Sequence, residues 1–168
     1  MPIAVGGPLS KAGAPTTGVA QVETATVVGT ISGDGNATFT VTAAGMAGSP
    51  LAISVAVLNG DTATVVAVKA RATLAANATI AALFVVGGAG ADVALTARRS
   101  AANDATLNIA FTNGTCTGLT PNATSTNTTA GVKGDWIGAD SGQYCLDSTN
   151  NAIYINSGTA LVPVWTLV

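Results

Sequence analysis

Two thiols, eight carboxylates and six basic side chains are the groups of this 168-residue chain that could do chemistry. Histidine is absent altogether, which removes His-dependent nucleophilic triads, His-ligated metal sites and the commonest general base together. A Cys nucleophile would need another activator. Cys116 lies in "NGTCTGL" and Cys145 in "GQYCLD", and neither has a Lys or Arg nearby in sequence to lower a thiol pKa. Both read as free, partly buried structural thiols, since two cysteines in a chain of this size do not make a disulfide framework. Asp34, Asp61, Asp104, Asp135 and Asp140 each stand beside Gly, Asn or Ala, where turn and cap duty accounts for them. The pieces "GDG" (33–35) and "GGAGAD" (87–92) lack the G-x-G-x-x-G register and a following Lys-Ser/Thr, so neither is a phosphate loop. The "DGN" at 34–36 has no acid near position 45 to complete a calcium loop. The expectation is no catalytic residue, no cofactor and no metal.

Charge narrows the partners. Only 8% of residues are charged, and Arg98-Arg99 is the one adjacent basic pair, too little to neutralise a row of phosphates. Hydrophobic residues make up 48% and mean hydropathy is +0.50, carried more by Ala and Val than by large side chains. Such a surface of Ala, Thr, Ser, Asn and Gly repels neighbours weakly and suits a subunit that lives against other subunits. No apolar run reaches the ~18 residues of a membrane-spanning helix, and "MPIAVGGPLSKAGAPTTG" does not read as a secretory signal. The five Asn-x-Thr matches, at Asn36, Asn77, Asn113, Asn122 and Asn127, are what an Asn- and Thr-rich chain contains by chance.

The elements follow from periodicity. Residues 1–21, rich in Gly, Pro, Ala and Ser, read as an N-terminal arm that gains order by lying on something else. "ETATVVGTIS" (23–32) reads as a strand and "SGDGN" as a turn. "ATFTVTA" (37–43) alternates, with Phe39 and Val41 on one face and Thr38, Thr40 and Thr42 on the other. "LAISVAVL" (51–58) is a further strand with Leu51, Ile53, Val55 and Val57 on its apolar face. After Asn59-Gly60, Asp61 is placed as a helix N-cap. Ala63, Val66, Ala67, Ala70 and Leu74 then share a narrow face that can approach a sheet closely. Asn77 caps a short turn, "ATIAAL". "DVALTAR" (92–98) and "ATLNIAF" (105–111) complete an α+β core, residues 22–120: an antiparallel, β-rich domain with one main covering helix.

Residues 121–131 hold no apolar residue larger than Ala and read as a linker. Beyond it, 132–168 carries Trp136, Tyr144, Tyr154 and Trp165, four of the chain's seven aromatics. "QYCLD", "AIYIN" and "LVPVWTLV" read as a C-terminal β-meander, too small to be secure alone, and Pro163 marks its last strand as an edge or as one that pairs with a neighbouring chain. Aromatics gathered in such an element suit an interface, with a small local core as the other reading. Ile3, Val5, Leu9, Trp136, Tyr144, Tyr154 and Trp165 are the expected contact residues.

The block from Ser32 to Thr120, "SGDGNATFTVTAAGMAGSPLAISVAVLNGDTATVVAVKARATLAANATIAALFVVGGAGADVALTARRSAANDATLNIAFTNGTCTGLT", resembles a repeat-like domain of structural proteins of tailed bacteriophages. The shared order is "G-NA…TVTAAGM-GSP…ISVAV-NGDTA…K-RA-LAA…I-ALF-VGG-GA-V-LT…AANDATLNIA". The ending "NNAIYINSGTALVPVWTLV" is similar to the "N-N-LYINSGT…W" endings of phage head and fibre proteins. The resemblance implies a non-enzymatic virion component with no catalytic residues to carry over. Size, arm and aromatic ending point to a capsid decoration (cement) protein on the capsid surface, assembled in the bacterial host cytoplasm. Its partners would be the major capsid protein and itself as a homotrimer, with no nucleic acid and no membrane. A tail fibre or tail tube component, a receptor (glycan)-binding module using Trp136 and Tyr144 as stacking platforms, and a small hydrolase dependent on Cys116 or Cys145 are the alternatives.

Overall fold

A computed structural model describes residues 9–168. Ile3 and Val5 lie outside the described residues. Strand accounts for 44% of the described residues and helix for 12%, so the protein is β-rich, mostly antiparallel, with some helix. In chain order the elements are β1 (Leu9–Lys11), β2 (Ala20–Thr26), β3 (Gly29–Gly33), β4 (Gly35–Thr42), β5 (Leu51–Val57), α1 (Ala63–Ala76) and α2 (Ala78–Leu83). Then follow β6 (Phe84–Gly87), β7 (Asp92–Ser100), β8 (Asn108–Thr112), β9 (Thr117–Leu119), β10 (Thr126–Thr129), β11 (Tyr144–Asp147), β12 (Ala152–Asn156) and β13 (Trp165–Leu167). The chain divides into two compact units.

The central unit comprises Gln21–Arg98 and Asn103–Ala130. Its three sheets run β10-β2-β7-β6, β3-β9 and β5-β4-β8. The alternation of β4 is decisive: Ala37, Phe39 and Val41 are buried while the threonines between them are not. Register places Phe39 opposite Ile53 and Phe111, and the Phe39 and Phe111 rings stack at 5.5 Å. Helix α1 packs on β3, β5 and β6 through buried Val66, Ala67, Ala70 and Leu74, the face expected from their spacing. Asn77 caps α2, its side chain accepting from Thr79 and Ile80 N–H.

Four expectations are corrected here. The strand expected over 23–32 is two strands, because the chain turns at Gly29 (φ 108°) to let β3 cross β9. A Cβ on Gly29 would lie 2.3 Å from the Gly118 carbonyl oxygen, and one on Gly118 2.1 Å from that of Thr30, so two glycines permit this crossing. The N-cap of α1 is Thr62, whose side chain accepts from Val65 N–H. Asp61 instead accepts from Leu58 N–H at 2.9 Å and pairs with Lys69, closing the preceding turn. Residues 121–131 are not a plain linker: β10 pairs antiparallel with β2, as β-branched Thr126, Thr128 and Thr129 allow without any large apolar group.

The fourth concerns the arm. The other unit consists of the described part of Met1–Ala20 with Arg99–Ala102 and Gly131–Val168. Its sheet runs β1-β11-β12-β13. Leu9–Lys11 is a strand of this sheet, pairing in parallel with Cys145–Asp147. Without β1 the N–H and C=O groups along one side of β11 would have no strand partner. Pro163 precedes β13, which is the edge of the sheet.

Candidate contact surfaces

In the terminal unit the sheet has two unlike faces. Cys145 lies opposite Leu9 and Tyr154, and Asn156 opposite Trp165. This inner face gathers Cys145, Ala139 and Trp165 with partly buried Leu9, Trp136 and Tyr154. Trp136 meets Trp165 edge-on at 5.8 Å, and its backbone takes φ 49° to do so. The Trp165 indole N–H donates to the Asp135 carbonyl at 3.3 Å. Trp165 is 7% exposed, so its ring cannot reach a partner while this unit is folded. Four of the expected contact residues (Leu9, Trp136, Tyr154 and Trp165) thus form a small local core.

Tyr144 is different. It pairs with Ile155, and Leu146 with Ile153, which puts these four side chains on the outer face. Tyr144 is 55% exposed, Ile153 48% and Leu146 40%. Only Tyr144 was expected. The signal for the others was present in the period-2 alternation of "YCLD" and "AIYIN", but both faces of these strands carry apolar residues, so the pattern alone does not say which is inside.

Polar side chains hold this unit together where apolar area is scarce. Asn156, fully buried, donates to the carbonyls of Ala139 (2.8 Å) and Asp140 (3.3 Å) and accepts from Gly158 and Val164 N–H, both at 3.0 Å. Asp147 accepts from the Asn150 side chain and from the N–H groups of Asn150, Thr149 and Gly13, which hold its carboxyl below the usual range. Asp135 is lowered as well, first by Lys11 and then by Thr16 N–H.

In the central unit, α1 presents a second apolar strip. Val65, Val68, Ala72 and Ala75 are exposed at 3-4-3 spacing, the repeat of a helix seam. The helix's basic groups fold away from it: Lys69 pairs with Asp61, and Arg71 donates to the Gly90 and Asp92 carbonyls. The Leu58 N–H and Lys69 hold Asp61 below the usual carboxylate range.

Both thiols are free and buried. Burial pushes each pKa up, with the Asp135 charge adding to the effect at Cys145, which disfavours the thiolate form at both. Cys116 donates to the Asn113 carbonyl at 2.8 Å. Among the described residues no three His, Cys, Asp or Glu lie together as metal ligands. No helix among them is long and apolar enough to cross a membrane. No protein-family model matches the chain, and neither does any curated protein.

Proposed function

We propose that this chain is a non-enzymatic structural protein of a bacteriophage virion, a capsid decoration (cement) protein that stabilises the head by bridging capsomers. The observation that carries the reading is the uncharged outer face of Tyr144, Leu146, Ile153 and Ile155 on a chain with so few charges. Apolar area removed from water contributes roughly 25 cal/mol per Å², and that sum grows with copy number on a shell. The α1 strip offers a second patch of the same kind, and the bacteriophage resemblance of residues 32–120 supports the same class. The partners are the major capsid protein and further copies of the chain, as a homotrimer, without nucleic acid, membrane or cofactor. The α+β reading belongs here too, with α1 covering the antiparallel core and 132–168 as the meander that meets neighbours.

Purified protein added to undecorated heads, followed by co-sedimentation and cryo-electron microscopy, tests this. The expected result is ordered density on the shell, with Tyr144→Ser weakening co-sedimentation while leaving the fold intact. Density on the tail would assign the chain to a fibre or tube, and binding to neither would end the proposal. The exposed Tyr144 ring favours one second reading, a receptor (glycan)-binding module, for which a glycan-array signal lost in Tyr144→Ser is the corresponding test.

A further inference from the structure

Glu23 is the single glutamate of the chain, and it is only 3% exposed. It lies on β2 opposite Asn127 of β10. Burying an ionised carboxylate costs free energy unless its oxygens are bonded or paired. One oxygen, Oε1, accepts from Ser125 Oγ at 2.6 Å. No cation pairs with it: the ion pairs among the described residues are Lys11–Asp135 and Lys69–Asp61. Among the described residues the other oxygen accepts no hydrogen bond. No fully buried side-chain oxygen among the described residues lacks a bond, so this atom is not fully enclosed, and Glu23 lines a cleft of about 390 Å³ with Asn103, Asp104, Asn108, Ser125 and Asn127.

The cleft is anionic and its lining contains no Lys or Arg. Asp104 is occupied differently from Glu23. Its oxygens accept from Thr106 N–H and Oγ1 and from Ala44 N–H, at 2.6 to 2.8 Å. That leaves one Glu23 oxygen without a partner among the described residues, in a cleft shared with the fully bonded Asp104 carboxylate. A divalent metal requires several oxygen ligands drawn inward at once, and no three-acid group exists here. A cation that brings its own hydrogen bonds needs only one such oxygen.

We propose that this cleft binds an organic cation, an alkylammonium or guanidinium group, with Glu23 as its charge partner. The group is supplied either by a free amine or guanidine or by a Lys or Arg side chain of a protein partner. The site does not depend on the capsid reading, since it is built within the central unit alone.

Amide chemical shifts of the isotope-labelled full chain, followed during titration with methylguanidinium chloride and n-butylammonium chloride against matched sodium chloride, test it. Saturable shifts are expected at Glu23, Ser125 and Asn127. Glu23→Gln keeps an oxygen for Ser125 but loses the charge, and should weaken binding about tenfold or more. Asn127→Arg, on exposed β10, supplies its own guanidinium and should abolish the response to added cation. Acetyl-Gly-Arg-Gly-amide saturating at lower concentration than methylguanidinium supports a protein side chain as the source; the reverse order supports a free small molecule. Absence of saturable shifts at these amides, or a response unchanged in either variant, overturns the proposal, and Asn127→Arg decides it if Glu23→Gln fails to fold.

Discussion

The central unit and the terminal unit are stabilised by different means. The central one encloses a continuous apolar core, in which Phe39, Phe111, Ile31, Leu74, Ile80 and Leu95 are all fully buried. The terminal one has, among the described residues, a small buried cluster of Ala139, Cys145 and Trp165, and relies on Asn156, Asp147 and Asp135 to bind its loops through side-chain hydrogen bonds. A small unit cannot remove enough apolar surface from water to offset the ordering of its chain, so directional polar bonds take a larger share. Such bonds fail abruptly when one partner is lost, because the groups left behind are buried and unsatisfied.

The contrast can be broken most severely at Phe39. Phe39→Ala removes a fully buried ring stacked on Phe111 and should cost about 3–5 kcal/mol, read from chemical denaturation. Asn156→Ala is the counterpart in the terminal unit. It orphans the Ala139 carbonyl and the Gly158 and Val164 N–H groups, at about 2–3 kcal/mol. Amide exchange should then accelerate in β11, β12 and β13 while β4, β5 and β8 stay protected. Equal acceleration in both sets would show that the two units do not differ as described.

Smaller changes sharpen the picture. Thr62→Ala removes the N-cap of α1 and should lower stability by about 1 kcal/mol, measured by the same denaturation. Acid should act most gradually. Asp61, Asp104, Asp135 and Asp147 all titrate below their ordinary value in the folded protein. At Asp104 burial works the other way but is outweighed by the bonds from Thr106, Ala44 and Leu107. For groups with depressed pKa the unfolded chain binds protons first, so their stabilisation is complete above about pH 4 and is lost as pH falls through the folded values. Thermal melts should therefore be flat above about pH 5 and decline below about pH 4.

Where one face of an element is apolar and the other polar, its orientation was legible from residue order. β4 and the inner side of α1 are such cases, and both sit as their spacing requires. Orientation was not legible in β11 and β12, where Tyr144 and Leu146 compete with Cys145, and Ile153 and Ile155 with Tyr154. The outcome there depends on Trp136 and Trp165 closing over one side. The N-cap of α1 was misplaced by one residue because Asp61 and Thr62 are both good caps, and only the nearby Leu58 N–H and Lys69 draw Asp61 away. β10 was hidden because a threonine-rich segment looks the same whether it lies in water or along a strand. The aromatic cluster was visible, but not that it points inward.

Residue order alone determined the poverty of charge, the absence of histidine, the strand and helix periodicities and the inner face of α1, since each is a property of composition or of neighbours a few positions apart. The tertiary structure decided which side of the terminal sheet meets solvent, that Leu9–Lys11 joins that sheet, and that Glu23 is buried against Ser125, 102 positions away. Those outcomes depend on which distant segments pair and exclude water, and no local pattern encodes that choice.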